Sequence, residues 1–331
     1  MRLYGLKLNA IIEKYLSLIV PVSLILGFLF SAQLKGWTAW APYLFAYLTF
    51  VMATGCSWKQ IKQAFRMPVP MLLIFTAAHI VAPVVSYSLG SAFFGAQSPY
   101  VVGFVLFTVI PLGVSSVIWV GLSKGNIPLA LSMIVVDSAL SPFVIPLAVS
   151  LFFGAEVEFD HVKVMLDLVK IIVVPTIIGV IANELSRQRF KEWSAPVCGP
   201  SSKIAMITVV AINAAAIQPY VIEMKRDMIV VIPLVVLMVI FCYLIGFASM
   251  FILKRHELVI TVAYSSGMRN ISLGLVLALA YFEPLTAVPV VLSILIQQPF
   301  ATLNYWCLKK MAQSRLYKKL TGIPPAETLG Y

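Results

Sequence analysis

Within an otherwise apolar run from about Val259 to Tyr281, the stretch Ser265-Ser266-Gly267-Met268-Arg269-Asn270 brings together two serines, a glycine, an arginine and an asparagine. An arginine at mid-bilayer costs about 3 kcal/mol or more on insertion scales, so its guanidinium must face protein or a water-filled cavity. Apolar residues resume at Ile271, and a backbone that unwinds at such a cluster is tolerated at membrane depth only inside protein or along a cavity. A second interruption, Ile110-Pro111-Leu112-Gly113-Val114-Ser115-Ser116, lies in an earlier apolar run. There Pro111 removes a backbone donor, and the serines can satisfy the freed carbonyls. Asp137 sits alone among Met133, Ile134, Val135, Val136, Ala139 and Leu140. A carboxylate in that setting requires a partner or a proton. Enzyme chemistry is not expected. His256-Glu257 opens the metalloprotease pattern H-E-x-x-H, but the fifth position is Ile260, so the second zinc ligand is missing. Cys56, Cys198, Cys242 and Cys307 are too widely spaced for a metal or disulfide framework.

The elements that position these residues are membrane spans. Of 331 residues, 61% are hydrophobic and only 11% charged, with a mean hydropathy of +0.97, which is a membrane composition. About ten runs are long and apolar enough to cross. They cover 14–32, 38–55, 69–89, 99–122, 127–153, 162–184, 201–219, 228–253, 257–281 and 286–308. The first is read as a retained span and not a cleaved signal, because many similar runs follow. The net charge of +11 is spread between the runs, so nucleic acid is excluded as a partner. With a cytoplasmic N-terminus, eighteen lysines and arginines fall inside and four (Lys35, Lys163, Lys225, Arg226) outside. That bias predicts a multi-pass plasma (inner) membrane protein with both termini cytoplasmic. Five spans per half in opposite orientation, each with a broken fourth member, predict an inverted repeat with a transport site where the breaks meet. Repeat one is 14–153 and repeat two 162–308 within a single membrane domain, 1–331. Residues 309–331 form a cytoplasmic tail, loose from Ser314 onward. Ser57 to Arg66, before Met67-Pro68, reads as a short amphipathic helix on the cytoplasmic surface. Asp167 and Lys170 are spaced for a local ion pair.

The order and spacing of four pieces resemble the bile acid:sodium symporter family over nearly the whole chain. These are the connector Cys56 to Pro68, the segment Pro111 to Pro142 with its Lys124-Gly125-Asn126 turn, Gly267-Met268-Arg269-Asn270-Ile271-Ser272-Leu273, and Pro284 to Pro289. The resemblance implies an all-α fold of ten helices. A panel domain (first, second, sixth and seventh spans) faces a core domain in which the broken fourth and ninth helices cross. It also implies secondary transport of a small organic anion by alternating access, typically with sodium, and no other cofactor; a monomer is expected.

By the same resemblance, the family's sodium ions are held by a glutamate just before the Gly-Met motif, a glutamine just after its methionine, a glutamine in the third span, and hydroxyl or amide groups in the fourth and fifth. The matching positions here are Ser265, Arg269, His79, and Ser116, Val117, Ala130 and Ile134, with Met268 as the methionine. A guanidinium beside a cation site opposes the cation. The sodium sites are therefore expected to be degenerate, and transport to be sodium-independent or proton-coupled through Asp137 or His79. Asp137 and Arg269 are expected to lie close together, in direct or single-water contact, with His79 nearby, either for coupling or purely as structure. The substrate is expected between panel and core, on Ser115, Ser116, Arg269, Asn270, Gln297 and Gln298, with Asn213 and Gln218 facing it from the panel. Two other readings stand beside this one. An arsenite or inorganic-anion permease would resemble the family but would carry a cysteine in the broken fourth span, absent here. A non-transporting receptor would use the same fold.

Overall fold

The architecture, taken from a computed structural model, is described for residues 2–154, 160–223 and 226–322. Lys225 and residues 323–331 of the expected tail lie outside the described residues. The described residues are all α-helical, and among them six helices are by length and composition able to cross a membrane. In chain order the helices are α1 (Arg2–Lys14), α2 (Leu16–Leu29), α3 (Ala41–Ala53), α4 (Trp58–Ala64), α5 (Pro68–Phe94), α6 (Pro99–Val109), α7 (Ser116–Leu122) and α8 (Ile127–Phe153). They continue as α9 (His161–Leu185), α10 (Phe190–Glu223), α11 (Met228–Phe247), α12 (His256–Gly267), α13 (Ile271–Tyr281), α14 (Ala287–Met311) and α15 (Arg315–Thr321). The first two apolar runs form a pair bent by 90°.

Both polar clusters interrupt helices. α6 ends at Val109 and α7 starts at Ser116; α12 ends at Gly267 and α13 starts at Ile271. Every α6 residue from Tyr100 to Val109 is buried, as expected for a helix that is apolar all round and sits at the centre of a bundle. α4 starts on a capping box in which Gln60 N donates to Ser57 Oγ (3.2 Å) and Ser57 N donates to Gln60 Oε1 (3.0 Å). This satisfies two donors left over at the helix start.

Two features depart from the sequence reading. α10 begins at Phe190, well before the expected start at 201, and includes Pro196 and Pro200. Prolines and basic residues there read as a loop, yet Ser201 and Ser202 donate to the carbonyls of Val197 (2.6 Å) and Gly199 (2.9 Å) inside the helix. α1 packs along α10 so closely that a Cβ on Gly5 would lie 2.0 Å from the Pro196 carbonyl oxygen. The segment after Ser314 is also not wholly loose. α15 buries Tyr317, whose hydroxyl meets His256 Nδ1 at 2.9 Å.

α5 contains one wide turn at Ala77–Val81, where Ala82 N reaches back five residues to Ala77 O. In that register the next donor would come from residue 83 to Ala78 O. Residue 83 is proline, so the Ala78 carbonyl is released from the helix.

Candidate functional site

The two helix breaks lie against each other. Leu112 and Arg269 face across an antiparallel bridge, with Gly113 N donating to Met268 O (2.9 Å) and Asn270 N donating to Pro111 O (2.8 Å). Unwound backbone far from water must pair somewhere. Here each break supplies partners for the other.

What the bridge leaves over is taken by two side chains. Leu112 N donates to Asp137 Oδ2 at 2.7 Å. Gln297 grips Arg269 from both sides: Arg269 N donates to Gln297 Oε1 (2.7 Å), and Gln297 Nε2 donates to Arg269 O (3.2 Å). Gln298 Nε2 donates to Ser115 Oγ (3.2 Å) and Gln298 Oε1 accepts from Trp119 Nε1 at 3.4 Å, fixing the start of α7. Gly113 permits the close approach. A Cβ there would lie 2.8 Å from the Arg269 carbonyl oxygen and 3.0 Å from its carbon. Neither backbone can swing aside, so Gly113→Ala is expected to cost about 1–3 kcal/mol of stability. Melting of the purified variant beside wild type measures it, and an unchanged melt would show that the crossing is not tightly packed.

Arg269 is 2% exposed. Its Nη2 donates to Ala78 O at 3.2 Å, filling the carbonyl released by the wide turn of α5. Nε and Nη1 have no hydrogen-bond partner. The Cys242 thiol and the Asp137 carboxylate are its polar neighbours. Asp137 and Arg269 are near enough to interact electrostatically, without a direct ion pair among the described contacts. Asp137, 1% exposed, instead pairs with His79, Nε2 to Oδ1 at 2.6 Å. The reason is backbone demand: Leu112 N claims one carboxylate oxygen, and the wide turn carries His79 to the other. Ser116 and Ser265 are both fully buried, and neither hydroxyl has a partner. Met268 is buried, and its carbonyl is held by Gly113 N. The predicted local pair between Lys170 Nζ and Asp167 is present at 3.0 Å.

A cavity of about 500 Å³ opens onto the crossing. Ser115, Arg269, Asn270, Gln297 and Gln298 line it, while Asn213 and Gln218 do not. The opposite wall comes from α10, where Lys191, Ser194, Cys198, Ser202, Met206 and Val210 recur at three- and four-residue spacing along one face. Lys203 and Asn9 of α1 belong to the same wall, with Lys203 Nζ donating to Asn9 Oδ1 at 2.6 Å. Sequence reasoning counted Lys191 and Lys203 only as loop charges. The three- and four-residue spacing from Lys191 through Ser194 and Cys198 to Ser202 was a usable signal, masked by Pro196 and Pro200. Three cations line the cavity (Lys191, Lys203, Arg269), and among the described residues no carboxylate does.

Fold and cavity together define the class: an all-α, multi-pass membrane protein built around interrupted helices that meet at an internal cavity. The chain belongs to the Sodium Bile acid symporter family, whose profile matches residues 41–224. It is 34% identical over 309 residues to the uncharacterized protein YbaS of Bacillus subtilis (strain 168), covering 91% of this chain and 99% of that one. It is also 26% identical over 273 residues to the "Uncharacterized sodium-dependent transporter YocS" of the same organism, covering 82% of this chain and 83% of the relative.

Proposed function

We propose that this chain is a secondary transporter that moves a small organic anion across the plasma (inner) membrane by alternating access. The observation that carries the reading is the cavity: about 500 Å³, lined by three cations and no described carboxylate, and ending on two helix breaks. That volume lies in the range of small-molecule sites, and its charge favours an anion. In this reading the ten spans form two inverted repeats, 14–153 and 162–308. Both termini are cytoplasmic, and the panel wall of α10 moves against the core that holds the crossing.

Substrate contact falls to Ser115, Asn270 and Gln298 at the cavity surface. Asn270 stands at the N-cap of α13, where the helix dipole presents its positive end. Gln297 acts one layer back by holding the Arg269 backbone. Arg269 supplies a permanent positive charge beside Met268, where relatives of this family are expected to hold sodium. Ser116 and Ser265 offer unpartnered hydroxyls but no carboxylate, and a bare hydroxyl pair is a poor counterweight to a cation next to a guanidinium. The reading is therefore of sodium-independent transport, with Asp137 and His79 as the pair able to exchange a proton.

Uptake into proteoliposomes with choline replacing sodium tests this directly. Equal uptake in the two salts, stimulated by an inwardly directed proton gradient, is the expected result. Strict dependence on sodium would overturn it.

A further inference from the structure

We propose that the hydrogen bond between Tyr281 and Asp167 is a latch that keeps the cavity shut at its outer end and must part before the cavity can face the other side of the membrane. This rests on the alternating-access reading above and assigns the contact that biases which side is open. The cavity occupies only one end of the panel helices. Along α10 it is lined from Lys191 to Val210, and along α3 from Phe45 to Met52. Where that lining stops, Ala41 and Leu44 of α3 and Val209 of α10 pack with Val276 of α13, a small apolar seal in which Val209 and Val276 are both buried. α13 crosses this seal. It leaves the crossing at Asn270 and carries Tyr281 about 16 Å further along its axis. There the Tyr281 hydroxyl donates to Asp167 Oδ2 of α9 at 2.7 Å, tying the core to the panel.

The seal and the bond do different work. Apolar burial is non-directional and tolerates sliding, whereas a hydrogen bond weakens steeply with distance and angle and so fixes one register of panel against core. Asp167 is prepared for this role within its own helix. Lys170 Nζ donates to Oδ1 at 3.0 Å, which leaves Oδ2 for Tyr281. Lys170 and Asp167 move together on α9, so their bond survives a domain motion that the bond to Tyr281 does not. A contact made in one conformation only shifts the equilibrium by its own free energy. Asp167 is partly exposed, so water replaces the phenol when the latch opens, and the bias stays small enough for the cycle to reverse.

The test measures maleimide labelling of the full-length protein in lipid nanodiscs, where both faces are accessible, with each labelled thiol located by peptide mass mapping. Val209→Cys places a reporter in the seal. Cys198 lines the cavity and reports its open end, and the buried Cys242 reports general loosening. Tyr281→Phe, which removes only the hydroxyl, is expected to raise the labelling rate of the seal thiol about tenfold, the scale of one hydrogen bond to a charged group. Asp167→Ala should do the same, and the double variant should go no further, because both changes remove one bond. Cys242 should stay unreactive throughout. A measurable seal rate that neither variant changes overturns the latch and leaves alternating access standing. Parallel increases at the seal and at Cys242 also overturn it, since they mark a loosened fold. A seal thiol that reacts in no variant while Cys198 does overturns the alternating-access reading as well.

Discussion

Replacing Asp137 with alanine is expected to be among the most damaging single changes in the chain. The carboxylate serves two groups at once, the Leu112 amide of the first break (2.7 Å) and His79 of α5 (2.6 Å), and all of this happens with Asp137 1% exposed. Removing it orphans a buried backbone donor, which costs about 1–3 kcal/mol. It also strips the half-buried His79 ring of its partner, and breaking such pairs costs up to about 3–5 kcal/mol where both members are fully buried. In a chain this size the melting temperature should fall by on the order of 10 °C. Asp137→Asn separates structure from coupling. An amide still offers an oxygen to Leu112 N and an N–H to an imidazole nitrogen, so the fold should survive, but no carboxylate is left to exchange a proton. The expected result is a folded Asp137→Asn protein whose uptake no longer responds to a proton gradient. Stimulation equal to wild type would leave the Asp137 and His79 pair a structural bond only.

The second large effect is a gain of function. If the Arg269 guanidinium stands in for a bound cation, restoring the residues that the family resemblance places at these positions should restore the ion. Arg269→Gln removes the fixed charge, and Ser265→Glu sets a carboxylate in the same buried region, close in sequence to Met268. Ser265 is fully buried, so the new carboxylate is costly unless a cation accompanies it. Wild type should melt at the same temperature in sodium and choline chloride. The double variant should be less stable than wild type in choline and recover in sodium. At a sodium concentration of 100 times the dissociation constant, the recovery is about 2.7 kcal/mol. Arg269→Gln alone should be destabilised in both salts, because the Ala78 carbonyl loses its donor. A double variant indifferent to sodium would show that the guanidinium is not placed where a cation binds.

The parts legible from residues alone were those set by short-range chemistry. Arg269 inside an apolar run had to be buried in protein, because lipid offers it nothing, and it is. Pro111 and the Ser265 to Asn270 cluster had to break their helices, and α6 and α12 end beside them. The Asp167 to Lys170 pair lies within one helical turn and could be read directly. The partners of Asp137 could not. It sits 25 residues from Leu112 and 58 from His79, and which of several polar groups in an apolar bundle meet depends on register between helices. The start of α10 was hidden for a related reason: local propensity argues for a loop at Pro196 and Pro200, and packing against α1 overrides it.

The amino-acid sequence by itself determined that this is a polytopic membrane protein with two interrupted helices and an arginine held inside the protein, because the bilayer imposes length, polarity and backbone-pairing requirements on each segment separately. Only the tertiary structure decided that Arg269 is met by the carbonyl freed at Ala78, that Asp137 joins His79 to the crossing, and that Lys203 and Asn9 face it across a cavity. Those pairings arise where separate helices satisfy one another's unpaired groups, and no single helix carries the information for that choice.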